Sequence, residues 1–436
     1  MRRWLTALMA CGTLAAAGAC GAQPNPSAAD DASLTAAAAR ADFVLMGEST
    51  HGTREYYQER ARLSEQLFRE HGFRAIGIEG DWSGAERVNR YVRGLGSDRT
   101  ADEALSDFRA FPVWMWRNAE FRDFVERLRA LNLSRAPQDR VGVYGLDVYD
   151  MFDAADAALA YLAQADAEAG RRARTHYACF ARHRRSPERY SLAQREPKRS
   201  CQAAAEAIVA EVARLPAPTA DEAEARFAAE RAAATLAGGE EYFRVQQTTG
   251  YSWNARDRRM AAGARRVSEH LARSGKPGKM VIWAHNTHVG DARESEMKDR
   301  GELSLGQLLR QDGRAFLLGF LTYQGEVLAA EAWDAAPRRF RVRPAMSGSQ
   351  EAVLEQRGQP RLLLSFAGRP AEERRLQRAI GVVYMPNNER QAHYMWGRID
   401  RQFDALIFIR DTRAVTALPA PARAARRRDI EGERDE

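Results

Sequence analysis

Four short apolar runs, each ending on an ionisable side chain, constrain the fold more than any other feature of this chain. FVLM runs into Gly47 and Glu48, AIGI into Glu79, VGVYGL into Asp147 and MVIWA into His285. Continuous apolar runs of this length, bounded by Gly or polar residues, read as strands buried on both faces, the pattern of a parallel sheet. Stretches with helical spacing fill the intervals. The expected fold class is therefore α/β, a mostly parallel central sheet flanked by helices. In such sheets ligands bind outside the carboxyl ends of the strands, so Glu48, Glu79, Asp147 and His285 are expected on one edge. The later runs AFLLGFL, LLLSF, GVVYM and ALIFI would extend the sheet.

Between 151 and 275 the texture changes to Ala, Glu and Arg at helical spacing, as in Met260, Ala264, Val267 and Leu271. We read this stretch as a helical insertion that packs on the sheet and covers its carboxyl-end edge. It divides the α/β core into 38–150 and 276–415. Residues 23–37 read as a flexible leader and 416–436 as a mobile tail, both biased in composition. Residues 1–22 follow the charged, apolar, small-residue order of a secretory signal: Arg2-Arg3, then LTALMACGTLAAA, then AGAC. The apolar run is too short to span a bilayer. Export to the periplasm, cell envelope or medium is expected, with cleavage after Ala19 or Ala22. Cleavage after Ala19 would make Cys20 the first mature residue, as in bacterial lipoproteins, although Ala17 stands where such signals usually carry Leu. A lipid at Cys20 would be the sole membrane attachment expected.

Export changes how the cysteines read. With Cys11 in the signal and Cys20 at its edge, Cys179 and Cys201 remain as a pair, and an oxidising compartment favours a disulfide between them. The segment that they enclose is polar and rich in Arg, and burial cannot hold it together. The charge balance, 66 Lys and Arg against 59 Asp and Glu for a net +7, raises nucleic acid as a partner. The positive charge is interleaved with acid, however, and the run Arg426–Arg428 is followed at once by Asp429. No clustered stripe or docking motif is present, so no nucleic-acid partner is expected.

The helix expected after the first strand carries Tyr56, Leu63 and Leu67 on its inward stripe, and Arg60 falls on the same stripe. A guanidinium facing a core needs a carboxylate, and Glu48 and Glu79 are the nearest by topology. His51 lies three residues past Glu48, and His285 and His288 follow the fourth strand. His71, His176, His183, His270 and His393 receive no role. The G-x-S-x-G elbow is absent, because GESTH places His where the last Gly should be, so Ser49 and Ser252 are poor nucleophile candidates. There is no H-E-x-x-H helix, CxxC pair, Walker loop or dinucleotide fingerprint. A His backed by carboxylates then suits direct activation of water, with further His and Arg stabilising the oxyanion. A divalent metal held by His and carboxylates is the alternative; Arg60 on the same face would repel it. Trp82, Trp114, Trp116 and Trp253 are candidates to line an apolar cleft, with core packing expected for about half of them.

Taken together, GESTHG with EYYQER, IEGDW, FPVWMWRN, YGLDVY, RDRRMA and WAHNTHVGD, in that order from about residue 38 to 415, resemble the erythromycin esterase family. The resemblance implies an α/β core with a helical portion over a deep cleft and hydrolysis of a macrolide lactone or a related large ester; no cofactor is expected from the residues. By motif, His51 is similar to the family's general base, and Glu48, Glu79, Arg60, His285 and His288 to its surrounding active-site residues. The export signal and the Cys179/Cys201 segment are departures from the family pattern. A non-catalytic exported binder of a bulky ligand such as haem is the reading from a different class.

Overall fold

The computed structural model describes residues 31–196, 200–219 and 222–419. The expected signal segment, Cys11, Cys20 and the basic run Arg426–Arg428 lie outside the described residues. The strands are β1 (Phe43–Met46), β2 (Ala75–Ile78), β3 (Gly142–Gly145), β4 (Met280–Trp283), β5 (Ala315–Ala329), β6 (Arg338–Val342), β7 (Arg361–Ser365), β8 (Arg375–Arg378), β9 (Tyr394–Gly397) and β10 (Ala405–Thr412). The main sheet runs in the order β3-β2-β4-β1-β5-β10-β7, with β6 paired to the far end of β5. All neighbours from β3 through β10 are parallel; β7 and β6 are antiparallel additions.

Strand side chains alternate between faces with period two, and the core divides accordingly. Val44, Met46, Ile76, Ile78, Val281 and Trp283 pack on one face with the helices Arg54–Glu70 and Ala119–Leu133. Phe43, Leu45, Ala75, Met280 and Ile282 pack on the other with Met260, Ala264 and Val267 of the helix Ser252–Ala272. Helices thus cover both faces, as the apolar runs predict.

The register places the site. Met46 and Ile78 both lie opposite Trp283, and Ile78 lies opposite Gly145. One level therefore crosses four adjacent strands, and Asp147, Glu79, His285 and Glu48 follow one or two residues beyond it. Gly52 fixes the loop after β1: a Cβ there would meet the Leu328 carbonyl oxygen at 1.9 Å. The Gly52 carbonyl also accepts the amides of Leu328 and Val415.

Among the described residues, 151–272 carry six helices. Five bury a core of their own that includes Phe152, Leu162, Phe180, Ile208 and Leu236. The sixth, Ser252–Ala272, lies on the sheet itself. Cys179 and Cys201 are disulfide-bonded with Cα atoms 5.8 Å apart, joining the helix Ala167–Ala181 to the start of Gln202–Arg214. No described helix is long and apolar enough to cross a membrane.

Three expectations need correction. The run GVVYM is not a strand of the sheet. Its neighbour Ile380 pairs with the loop of Ser49 to His51, and Val383 bridges Ala330, because this segment crosses beyond the strand ends, where it walls the cavity described below. Part of the expected leader is a helix, Asp31–Ala38, which buries Leu34 and Ala38 against the core and sends Asp31 to Arg361. The first tail residues are also tied down: Thr416 accepts the Ala119 amide, and the Leu418 amide donates to Arg117.

The disulfide closes a loop over a sequence separation of 22, worth about 3 kcal/mol in the chain-entropy model. Unfolding in denaturant with and without a reductant should show a loss of that order, and Cys179→Ser should reproduce it. Superimposable curves would contradict a structural role for the bridge.

Candidate active site

The loop after β1 folds His51 back onto Glu48, and their side chains meet at 2.8 Å through Nδ1 and Oε1. A carboxylate on Nδ1 holds the proton there and leaves Nε2 as the basic nitrogen. The other Glu48 oxygen lies 2.8 Å from Nη2 of Arg60, with both side chains wholly buried. The approach is outside hydrogen-bond alignment, so the contact is mainly coulombic. The Arg60 guanidinium also lies over the Tyr57 and Trp283 rings, at 4.7 and 4.9 Å from their centroids. Arg60 therefore answers the expected need for a carboxylate through Glu48 alone, and Glu79 belongs to a different cation.

That cation is Arg256. Its Nε and Nη2 donate to the two oxygens of Asp147 at 2.9 and 2.6 Å, and Nη2 also reaches Glu79 at 2.8 Å. The second Glu79 oxygen accepts the His285 amide at 2.8 Å, tying β2 to β4. Burial alone would raise the Glu79 carboxyl; the charges of His288 and Arg256 overcome it and hold the group well below the usual range.

His288 lies between Asp257, 2.9 Å from Nδ1, and Glu79, 3.3 Å from Nε2, under the stacked Trp253 ring at 4.3 Å. Burial disfavours its charge, but the two carboxylates push it up to about 9. Nη1 of Arg256 also lies 3.0 Å from Nε2, a contact that a neutral ring would accept and a charged one resists. The carboxylate majority decides: Glu48, Glu79, Asp147 and Asp257 face two guanidinium groups, and a third cation reduces the imbalance. Burial raises Asp257, against the attraction of His288 and Arg256, and its oxygens accept the Leu305 amide and meet Nδ1 of His288.

His285 behaves in the opposite way. Burial and the neighbouring His51 lower it to about 3, so the ring is neutral. Its Nδ1 meets the Thr287 hydroxyl at 2.8 Å and the Thr287 amide at 3.3 Å, and Nε2 is buried with no aligned hydrogen bond among the described residues, the Ser49 backbone lying beside the ring. The His51 and His285 ring centroids are 4.9 Å apart.

Both rings line a cavity of about 560 Å³, within the range of pockets that hold drug-sized ligands. Glu79, Asp147, Arg256 and His288 also line it, and Trp116, Trp253, Phe111 and Trp333 supply apolar wall. Tyr242, Ser252 and Trp253 bring the helical segment to the carboxyl-end edge, as the insertion reading predicts. Trp82 and Trp114 pack in cores instead. The six expected residues thus fall into two roles. The His51 and His285 rings line the cavity, whereas Glu48 and Arg60 stand behind His51, and Glu79 and His288 share charge with Arg256. Arg60 does not line the cavity and cannot touch a substrate there. Ser49 is buried against the Tyr56 hydroxyl at 2.7 Å, and His393 lines the cavity wall with its Nε2 accepting the Met385 amide.

Arg256 and Asp257 were not singled out from sequence. The signal was present, since they precede Met260 by four and three positions on the same inward stripe, the argument that exposed Arg60. No group of three or more His, Cys, Asp or Glu among the described residues is arranged to hold a metal ion. The oxygens of Glu79 and Asp147 and the nitrogens of His288 are already engaged.

His288 gives a pH signature. Its folded value near 9 lies above the ordinary value of 6.5, so the stabilisation is complete below about 6.5 and is lost as pH rises through about 9. At about 1.4 kcal/mol per unit the span is on the order of 3 kcal/mol. Urea unfolding from pH 6 to 9.5 should show this decline, and Asp257→Asn should flatten it; an unchanged slope would contradict the assigned charge.

Three solved structures share the architecture. A Bacillus cereus protein superposes with a TM-score of 0.73 at 17% identity, covering 91% of this chain and 95% of its own. A succinoglycan biosynthesis protein gives 0.73 at 19%, covering 90% and 94%. A mutant erythromycin esterase in its open conformation gives 0.60 at 16%, covering 89% and 95%. At such identities the likeness establishes the fold. The sequence itself matches the family model described as erythromycin esterase over residues 68–412. The chain therefore belongs to the erythromycin esterase family, and that membership makes it an esterase-like hydrolase.

Proposed function

We propose that this chain hydrolyses a large carboxylic ester, a macrolide lactone or a related compound, by direct attack of water activated by His51. The observation that carries this reading is the buried chain from Arg60 through Glu48 to Nδ1 of His51, which leaves the opposite ring nitrogen basic at the cavity. Nε2 takes a proton from water as the oxygen bonds to the acyl carbon, and the carbonyl electron pair moves to its oxygen. Glu48 stabilises the imidazolium that forms. The neutral His285 ring, 4.9 Å from His51 between centroids and lining the same cavity, is the group assigned to the resulting oxyanion. Collapse breaks the acyl–oxygen bond, and the departing alkoxide takes its proton back from His51. No side chain is acylated.

The aromatic wall and the cavity size favour a bulky, largely apolar alcohol or lactone ring. The amino-terminal signal pattern and the Cys179–Cys201 bridge support a place outside the cytoplasm, where envelope or environmental esters are the available substrates. The engaged donors around Arg256 favour metal-independent chemistry over the metal-assisted alternative.

Mass spectrometry of macrolides and generic esters incubated with the enzyme in ¹⁸O-water tests the reading: the product should gain one labelled water. His51→Ala should lower turnover by about 10²- to 10⁴-fold with a nearly unchanged melting temperature, because the ring is packed at a cavity wall. An unaffected rate would sink the assignment. Glu48→Gln should lose activity and also destabilise by about 3–5 kcal/mol, since it leaves Arg60 buried without a counter-charge. Activity should survive exhaustive chelation; loss with a chelator and return with zinc would favour a metal site instead.

A further inference from the structure

A second cavity, of about 310 Å³, lies between the helices Ala223–Thr248 and Ser252–Ala272. Four arginines line it, Arg231, Arg259, Arg265 and Arg266, against two acids, Asp147 and Glu269. The charges are not balanced within the site. Arg259 pairs with Glu241 and Arg265 with Asp312, and Asp147 is taken by Arg256 on its other side. Arg231 and Arg266 form no ion pair with a described carboxylate.

Arg266 is exposed, and water solvates it. Arg231 is not: 6% of its surface is accessible, and its hydrogen bonds go to the carbonyls of Gly145 and Gly263. Those oxygens occupy donors but carry no net charge, and a guanidinium has five N–H groups to satisfy. Burial pulls its pKa down to about 10, with Tyr144, Glu86 and Asp150 opposing the fall and Arg266 adding to it, so the group remains a cation at neutral pH. Gly263 keeps the approach open, since a Cβ there would come within 3.2 Å of Arg231 Nη1.

We propose that this inter-helix cavity is a binding site for a small, multiply charged organic anion carrying phosphoryl or carboxylate groups, held by Arg231 and Arg266. Guanidinium forks match the oxygens of either group in pairs. The cavity is larger than inorganic phosphate needs, which points to an organic anion. The site is independent of the esterase reading.

The test is thermal unfolding of the full chain titrated with sodium phosphate, and separately with sodium citrate, each against sodium chloride at equal ionic strength. A saturable rise in melting temperature with either anion is expected, and the stronger of the two identifies the preferred group. Arg266→Glu, a change at an exposed residue, should weaken the apparent affinity at least tenfold, and Arg231→Met should abolish the saturable rise. If Arg231→Met does not fold, Arg266→Glu decides. Identical curves in phosphate, citrate and chloride, or a rise that survives Arg266→Glu unchanged, would overturn the proposal.

Discussion

Carboxylates taken out of water at the ends of parallel strands must meet cations, and that requirement organises this molecule. The strand register brings Glu48, Glu79 and Asp147 to one edge, where none could remain charged alone. Arg60 enters from the helix after β1 and Arg256 from the last helix of the 151–272 segment. The latter pairing ties the helical segment to the sheet across more than a hundred residues of sequence. His288 supplies a third cation between Asp257 and Glu79. Once these charges are paired, the His51 and His285 rings are left lining the cavity, the two imidazoles on which the proposed mechanism rests.

Much of this was legible in the sequence because the relevant signals are local. The runs FVLM and AIGI coincide with β1 and β2 residue for residue, and MVIWA passes the end of β4 by Ala284 alone, since a strand buried on both faces leaves an unbroken apolar stretch. Arg60 was visible as a charge on an apolar stripe. Its partner was not resolved between Glu48 and Glu79, because topology gives neighbourhood and side-chain reach gives contact. Arg256 and Asp257 were missed although the same stripe argument applies to them. Their helix was read as part of a cover, and a cover was not expected to supply a counter-ion.

The misreadings have physical causes too. GVVYM has the composition of a strand, yet Ile380 at its start bonds to the loop of Ser49 to His51, so its β propensity serves the site and not the sheet. The strand pair β8–β9 carries mostly polar or large exposed side chains and lacks the continuous apolar signature that identifies the central strands. The helix Asp31–Ala38 was hidden by composition, because Ala-rich segments resemble mobile leaders until a partner such as Arg361 holds them.

The account's central claim is that His51, held by Glu48 and Arg60, is the base that activates water. Chemical rescue tests this most directly. His51→Gly opens space at the cavity wall beside Glu48, and added imidazole should restore ester hydrolysis in a saturable, pH-dependent manner, while a non-basic analogue of the same size should not. Turnover that persists in His51→Gly without imidazole, or a silent variant that no exogenous base revives in a folded protein, would contradict it.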